Sequence, residues 1–324
     1  MLFKRTGCGL SFFCDNGAAR IRAWTAIVKA TAYRLGTLPV LILLAACGGV
    51  ATAPASGGQA GGNSGAVTRE TLVWSDEFNG ATASSAPDPQ NWAYDTGAGG
   101  WGNNELETYC AYGSTATPCD PKNPNAYVGT DGSLHIVARN PASGVYTSAR
   151  MKSQGLQSFQ YGRIEARIKM PMGQGMWPAF WMLGDNVNTV QWPACGEMDI
   201  MESIGKMPST NYGSIHGTGF TGTAIGATYT LPNGEKFGAD FHTFGIVWSP
   251  KEIKYYVDSP TNVYATYIPA NLPPGAVWPF DAGKFFFILN TAVGGAWPGS
   301  PDKTTVFPQQ MLVDYVRVYA EPAS

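Results

Sequence analysis

The sequence predicts an all-β fold for residues 71–322, a two-sheet jelly-roll sandwich, on three observations. Segments such as "RIEARIKM" (163–170) and "DYVRVY" (314–319) alternate polar and apolar residues, the period of a half-buried strand. Turn formers punctuate them, with 40 Gly and 23 Pro in the chain. No stretch of this region sustains a helical period, so crossover helices and a parallel sheet are not expected. Along the chain, Asp131-Gly132 signals a turn ahead of "SLHIVAR", "PMGQG" turns into "MWPAFWML", and "EIKYYVD" gives a further alternating strand.

The segments before this domain have different jobs. Residues 1–47 read as an export signal: Lys29 and Arg34 precede the apolar run Leu38–Cys47, which is too short to span a bilayer. Its ending, Leu44-Ala45-Ala46-Cys47, resembles a bacterial lipobox, which makes Cys47 a lipidation candidate. Residues 48–70 are Gly-, Ala- and Ser-rich and bury too little surface to order themselves, the composition of a tether. The product expected is a cell-envelope lipoprotein or a secreted protein. In such a compartment Cys110 and Cys119 are placed to close a short loop, leaving Cys195 as a packed thiol, and no cysteine spacing matches a zinc site.

Composition narrows the partner. Charged residues make up 14% of the chain and the net charge is -2, so nothing favours nucleic acid or an anionic membrane surface. Membrane contact is expected only through a lipid on Cys47. With 10 Trp, a neutral carbohydrate that stacks on indole faces is a natural ligand.

The chemistry concentrates in "GEMDIMES" (196–203). In a regular strand Met198 and Ile200 face one side and Glu197 and Asp199 the other, which strands Glu202 on the apolar side. One extra residue after Asp199, a β-bulge, resets the alternation and returns Glu202 to the acidic face. Acids crowded there cannot all ionise, so one holds a proton beside an ionised partner, the equipment for splitting a glycosidic bond. Glu197 would attack, Glu202 would protonate the leaving oxygen, and Asp199 would hold the nucleophile. A Ca²⁺ site or a solvated face are the competing readings; the solvated strands of this chain interleave Lys and Arg, and this one has none. Trp177, Trp181 and Trp192 precede the acids, and Trp297 lies in "VGGAWPG". Gly99–Tyr109 adds Asn103, Asn104 and Glu105 on a Gly-rich loop, and His216 follows one hairpin beyond the acids.

Taken together, "WSDEFNG", "GWGNNELETY", "YTSARMKS", "FQYGRIEARIKMPMGQGMWPAFWMLG", "WPACGEMDIMES", "SIHGTGF", "FHTFGIVWSP", "NTAVGGAWPG" and "MLVDYVRVY" resemble glycoside hydrolase family 16, in its bacterial laminarinase-like endo-β-1,3-glucanases. The resemblance implies an open substrate cleft and retaining hydrolysis of β-1,3-glucan, extending to mixed-linkage β-1,3-1,4-glucan. It makes Glu197 the nucleophile, Glu202 the acid/base and Asp199 the carboxylate between them. It places Asn104, Arg150, Trp177, Trp181 and His216 along the glucose-binding cleft. It puts Glu77 and Asp314 near a structural Ca²⁺ site, with no cofactor for catalysis. A non-catalytic β-glucan-binding protein, an agarase and a transglycosylase are the alternative members, and a monomer is expected.

Overall fold

The computed structural model describes residues 70–221 and 225–320. The export segment, Cys47 and the tether up to residue 69 lie outside the described residues. The strands are β1 Leu72–Asp76, β2 Ala93–Asp95, β3 Glu107–Tyr109, β4 Ala126–Val128, β5 Leu134–Ala142 and β6 Val145–Ser148. There follow β7 Arg150–Lys152, β8 Gly162–Lys169, β9 Met176–Gly184, β10 Glu197–Glu202, β11 Thr210–His216 and β12 Gly226–Thr230. The last five are β13 His242–Ser249, β14 Glu252–Val257, β15 Val263–Tyr267, β16 Phe285–Val293 and β17 Gln309–Tyr319. The one described α-helix, α1, is a single turn over Val187–Val190.

These strands form two sheets, as the alternation predicts. A ten-stranded sheet runs β15-β14-β13-β8-β17-β5-β6-β3, with β1 paired to β17 and β4 to β5; a seven-stranded sheet runs β12-β11-β10-β9-β16-β7-β2. Pairing is antiparallel except between β3 and β6. Inward side chains from both sheets share one core, including Ile164, Ala166, Ile246 and Val316 from the first and Phe180, Met182, Met198 and Leu289 from the second. The first sheet also buttresses the second by hydrogen bonds: the Tyr255 hydroxyl donates to the Ser214 carbonyl and the Tyr267 hydroxyl to the Gly213 carbonyl, each at 2.9 Å.

The aromatic surplus divides between core and surface. Trp92 and Trp248 are buried, and Trp74 packs against Phe159 and Phe287. Cys110 and Cys119 form a disulfide nine residues apart in sequence, and Cys195 is a buried free thiol.

Candidate active site

The site is built on the outward face of the seven-stranded sheet, where period-2 alternation sorts side chains between core and groove. On β9, Phe180 and Met182 enter the core, while Trp177, Ala179, Trp181 and Leu183 line a groove of about 830 Å³. On β16 the same rule sends Phe287 and Leu289 inward and leaves Asn290 and Ala292 on the groove wall. Tyr212, Ser214 and His216, two residues apart on β11, complete that floor.

β10 departs from the rule at the position the sequence requires. Against β9, Asp199 pairs with Trp181 and Met201 with Phe180, so Ile200 is the extra residue; against β11, Asp199 pairs with Ser214 and Glu202 with Tyr212. Met198, Ile200 and Met201 are buried in the core, and Glu197, Asp199 and Glu202 all line the groove. Gly196 feeds this strand at φ +83, where an added Cβ would stand 2.7 Å from Pro279, so only glycine fits both the backbone and the space.

Asp199 is the hub of the polar contacts here. It lies beside Glu197, and its charge opposes ionisation of that carboxyl. Asp199 accepts from the Ser214 hydroxyl at 2.7 Å and lies 2.9 Å from His216 Nε2, which is 3.9 Å from Glu197. Burial, and then the charge of Asp199, raise both Glu197 and Glu202 well above the ordinary carboxylate range. Burial works against a charged His216, but the hydrogen bond and charge of Asp199 outweigh it and raise the imidazole. Donor atoms of Glu197, Asp199 and His216 fall within 4.8 Å of one another. The bonds already joining them, one through an imidazole nitrogen, suit a proton network better than an all-oxygen Ca²⁺ shell.

Indole groups frame this network. Trp192 Nε1 donates to Glu197 Oε2 at 2.7 Å, and Trp177 Nε1 donates to Glu202 Oε1 at 2.9 Å. Trp297 stands edge-on to both Trp177 and Tyr212. Arg150, held by Asp95 at 3.1 Å, lies over the faces of Trp101 and Trp181, and Trp181 Nε1 donates to Asn290 Oδ1 at 2.8 Å.

Most of the sequence-derived binding residues therefore meet here: Arg150, Trp177, Trp181, Trp192, His216 and Trp297 all line the groove. Asn104 does not. It is exposed at φ +60, in the turn that presents Asn103 and Glu105 to the groove instead. The expected calcium ligands each have an arginine partner. Glu77 is engaged by Arg317 through two bonds of 2.9 and 2.7 Å, and Asp314 by Arg167 at 2.8 Å. A guanidinium against each carboxylate supplies positive charge where the ion would need oxygen ligands, so this pair as placed does not fit a Ca²⁺ site.

Beneath the groove lies a second acid pair. Glu107 is buried against Glu105; its Oε2 accepts the Val293 N–H at 2.7 Å, while its Oε1 finds no donor among the described residues. Glu105 accepts from Tyr109 Oη at 2.9 Å and from Asn103 Nδ2 at 3.0 Å, and Asn290 Nδ2 donates to the same Tyr109 oxygen at 3.2 Å. Burial first, and Glu105 second, push Glu107 up to about 8, so it carries the proton of the pair near neutrality.

An open jelly-roll face holding two half-buried glutamates in an aromatic groove defines a glycoside hydrolase of the two-carboxylate kind. The family model for glycosyl hydrolases family 16 matches residues 115–317, and the chain belongs to that family. It is 41% identical over 260 residues to the beta-glucanase of Rhodothermus marinus, covering 76% of this chain and 84% of that one. It is 37% identical to glucan endo-1,3-beta-glucosidase A1 of Niallia circulans, covering 79% of this chain and 39% of that larger protein. The catalytic domain of an endo-1,3-beta-glucanase (laminarinase) from Thermotoga petrophila superposes with a TM-score of 0.68 at 44% identity, over 79% of this chain and all of that domain.

Proposed function

We propose that this protein is a retaining endo-β-1,3-glucanase that accepts laminarin-type and mixed-linkage β-1,3-1,4-glucans. The observation that carries the reading is the bulge in β10, which aims Glu197 and Glu202 into one groove with Asp199 between them. In the first step Glu197 attacks the anomeric carbon while Glu202 gives its proton to the departing glycosidic oxygen, leaving a glycosyl ester on Glu197. In the second step Glu202, now ionised, takes a proton from water, and the water oxygen displaces Glu197 with net retention. Asp199 lies beside Glu197, and His216 and Ser214 hold Asp199 in register as charge moves onto and off Glu197.

Trp177, Trp297 and Tyr212 line one stretch of the groove and Trp101, Trp181 and Arg150 another, offering indole and phenol faces to pyranose rings. Export, by a signal within residues 1–47 and with a lipid on Cys47, is part of the same proposal; the Cys110–Cys119 disulfide suits an oxidising compartment.

The test is reducing-sugar release from laminarin, lichenan and agarose side by side, with linkage analysis of the products. Hydrolysis of laminarin that disappears in Glu197→Gln supports the reading. Laminarin binding without product release by the wild type would make this a glucan-binding protein, release from agarose alone an agarase, and products longer than the substrate a transglycosylase.

A further inference from the structure

The two reacting groups are both glutamates, both half-buried, and both raised by burial and then by the same neighbour, Asp199. Each must present a particular oxygen to the substrate. We propose that Trp192 and Trp177 are positioning residues for this pair, one indole N–H fixing Glu197 for attack and the other favouring which oxygen of Glu202 carries the transferable proton. The inference rests on the glucanase reading above and adds to it the means by which each carboxyl is oriented.

The argument starts from the donor. An indole Nε1–H can only donate, at any working pH. Trp177 donates to Glu202 Oε1 at 2.9 Å, and because a carbonyl oxygen accepts better than a hydroxyl oxygen, the bond favours the neutral acid with its proton on Oε2. The acid is thereby held in one orientation rather than two. Trp177 is itself fixed on β9, with Trp297 edge-on at a 5.4 Å centroid distance.

Trp192 acts from the other side of the site. It is 51% exposed, on the segment between α1 and β10, yet its N–H reaches Glu197 Oε2 at 2.7 Å. A donor with no acceptor capacity favours the ionised nucleophile and commits that oxygen, leaving Oε1 as the oxygen free of an indole bond. The other charged or titratable groups around the two acids include Asp199 on their own strand, His216 on β11, Arg150 on β7, Tyr255 on β14 and Cys195 just before β10.

The experiment is the kcat/KM–pH profile on laminarin for Trp192→Phe and Trp177→Phe. Removing a donor that favours the charged form raises the affected carboxyl. Glu197 must be ionised to attack, so Trp192→Phe should move the acidic limb to higher pH by about half a unit or more and leave the basic limb in place. Glu202 must be protonated to act, so Trp177→Phe should extend the basic limb upward and leave the acidic limb in place. In each variant kcat should fall about tenfold or more with KM changed less, since these bonds serve the reacting groups.

Replacing each indole by 3-benzothienylalanine keeps the ring and substitutes sulfur for N–H, so a limb shift shared by both replacements belongs to the hydrogen bond rather than to altered packing. Unshifted limbs with wild-type kcat would overturn the inference while leaving the glucanase reading intact. A crossed pattern, with Trp192→Phe moving the basic limb, would also overturn it and reverse the roles of the glutamates. A wild-type enzyme that releases no sugar would defeat the functional reading itself, and this inference with it.

Discussion

At the scale of single residues the site depends on where protons sit. Burial first, and the charge of Asp199 second, raise the Glu202 carboxyl well above the ordinary carboxylate range, which favours the protonated form that an acid needs. Replacing it with Gln keeps the shape and removes the transferable proton, so turnover of laminarin should fall about 10²–10⁴-fold. An aryl β-glucoside with a good leaving group, which needs no protonation, should form the glycosyl-enzyme at near wild-type speed, seen as a burst of phenol. Glu107 makes a second residue-scale prediction. Its folded pKa, about 8, lies above its ordinary value of 4.5, so the folded chain holds a proton that the unfolded chain has released across that interval. The stability this contributes is fully present below pH 4.5 and is lost as pH rises toward 8. Glu107→Gln, which copies the protonated form, should flatten the fall in melting temperature between pH 5 and 9. An unchanged slope would show that Glu107 does not hold that proton.

At the scale of the element, the bulge in β10 is the feature on which the site turns. Deleting Ile200 removes the extra residue and leaves Glu197-Met198-Asp199-Met201-Glu202, which a regular strand presents with all three acids on one face. The variant should therefore keep measurable laminarin hydrolysis while melting several degrees lower, since the buried Ile200 side chain leaves the core at a cost of roughly 2–5 kcal/mol. Complete loss of activity in a variant that still folds would show that the bulge sets the spacing of the acids as well as the face they share. This element was legible in the sequence because regular alternation would bury Glu202 among apolar side chains, and one inserted residue is the smallest change that avoids that cost. Its neighbours were legible to different degrees. Tyr212 and Ser214 share a face with His216 by simple alternation and could have been inferred from it. Asn290 is the polar residue that ends the apolar run Phe285–Leu289, a signal that such a strand touches something polar. The choice of Asn103 over Asn104 was not readable, because it depends on a positive-φ turn at Asn104 that local sequence does not uniquely specify. The arginines facing Glu77 and Asp314 were equally hidden, since Arg317 and Arg167 reach them only once β1, β8 and β17 are side by side.

At the scale of the whole molecule, the sandwich was legible because alternation and turn residues report which faces are buried, whereas strand order depends on long-range pairing that no local pattern encodes. Two global properties follow from the assembled chain. The Cys110–Cys119 link closes a short loop, so its loss in the double Ser variant should cost about 2–3 kcal/mol, roughly 5–10 °C in melting temperature, with the groove still active. With a net charge of -2 and a neutral substrate, kcat/KM on laminarin should change little between 50 and 500 mM salt, where steering of a charged chain would be screened. The most direct test of the central claim, that the bulged strand presents Glu197 as nucleophile, is to trap the intermediate. Incubation with a 2-deoxy-2-fluoro laminaribiosyl fluoride, followed by peptide mass spectrometry, should place one glycosyl adduct on Glu197 and none in Glu197→Gln. An adduct on Glu202, or hydrolysis with inverted anomeric configuration and no adduct, would contradict the account.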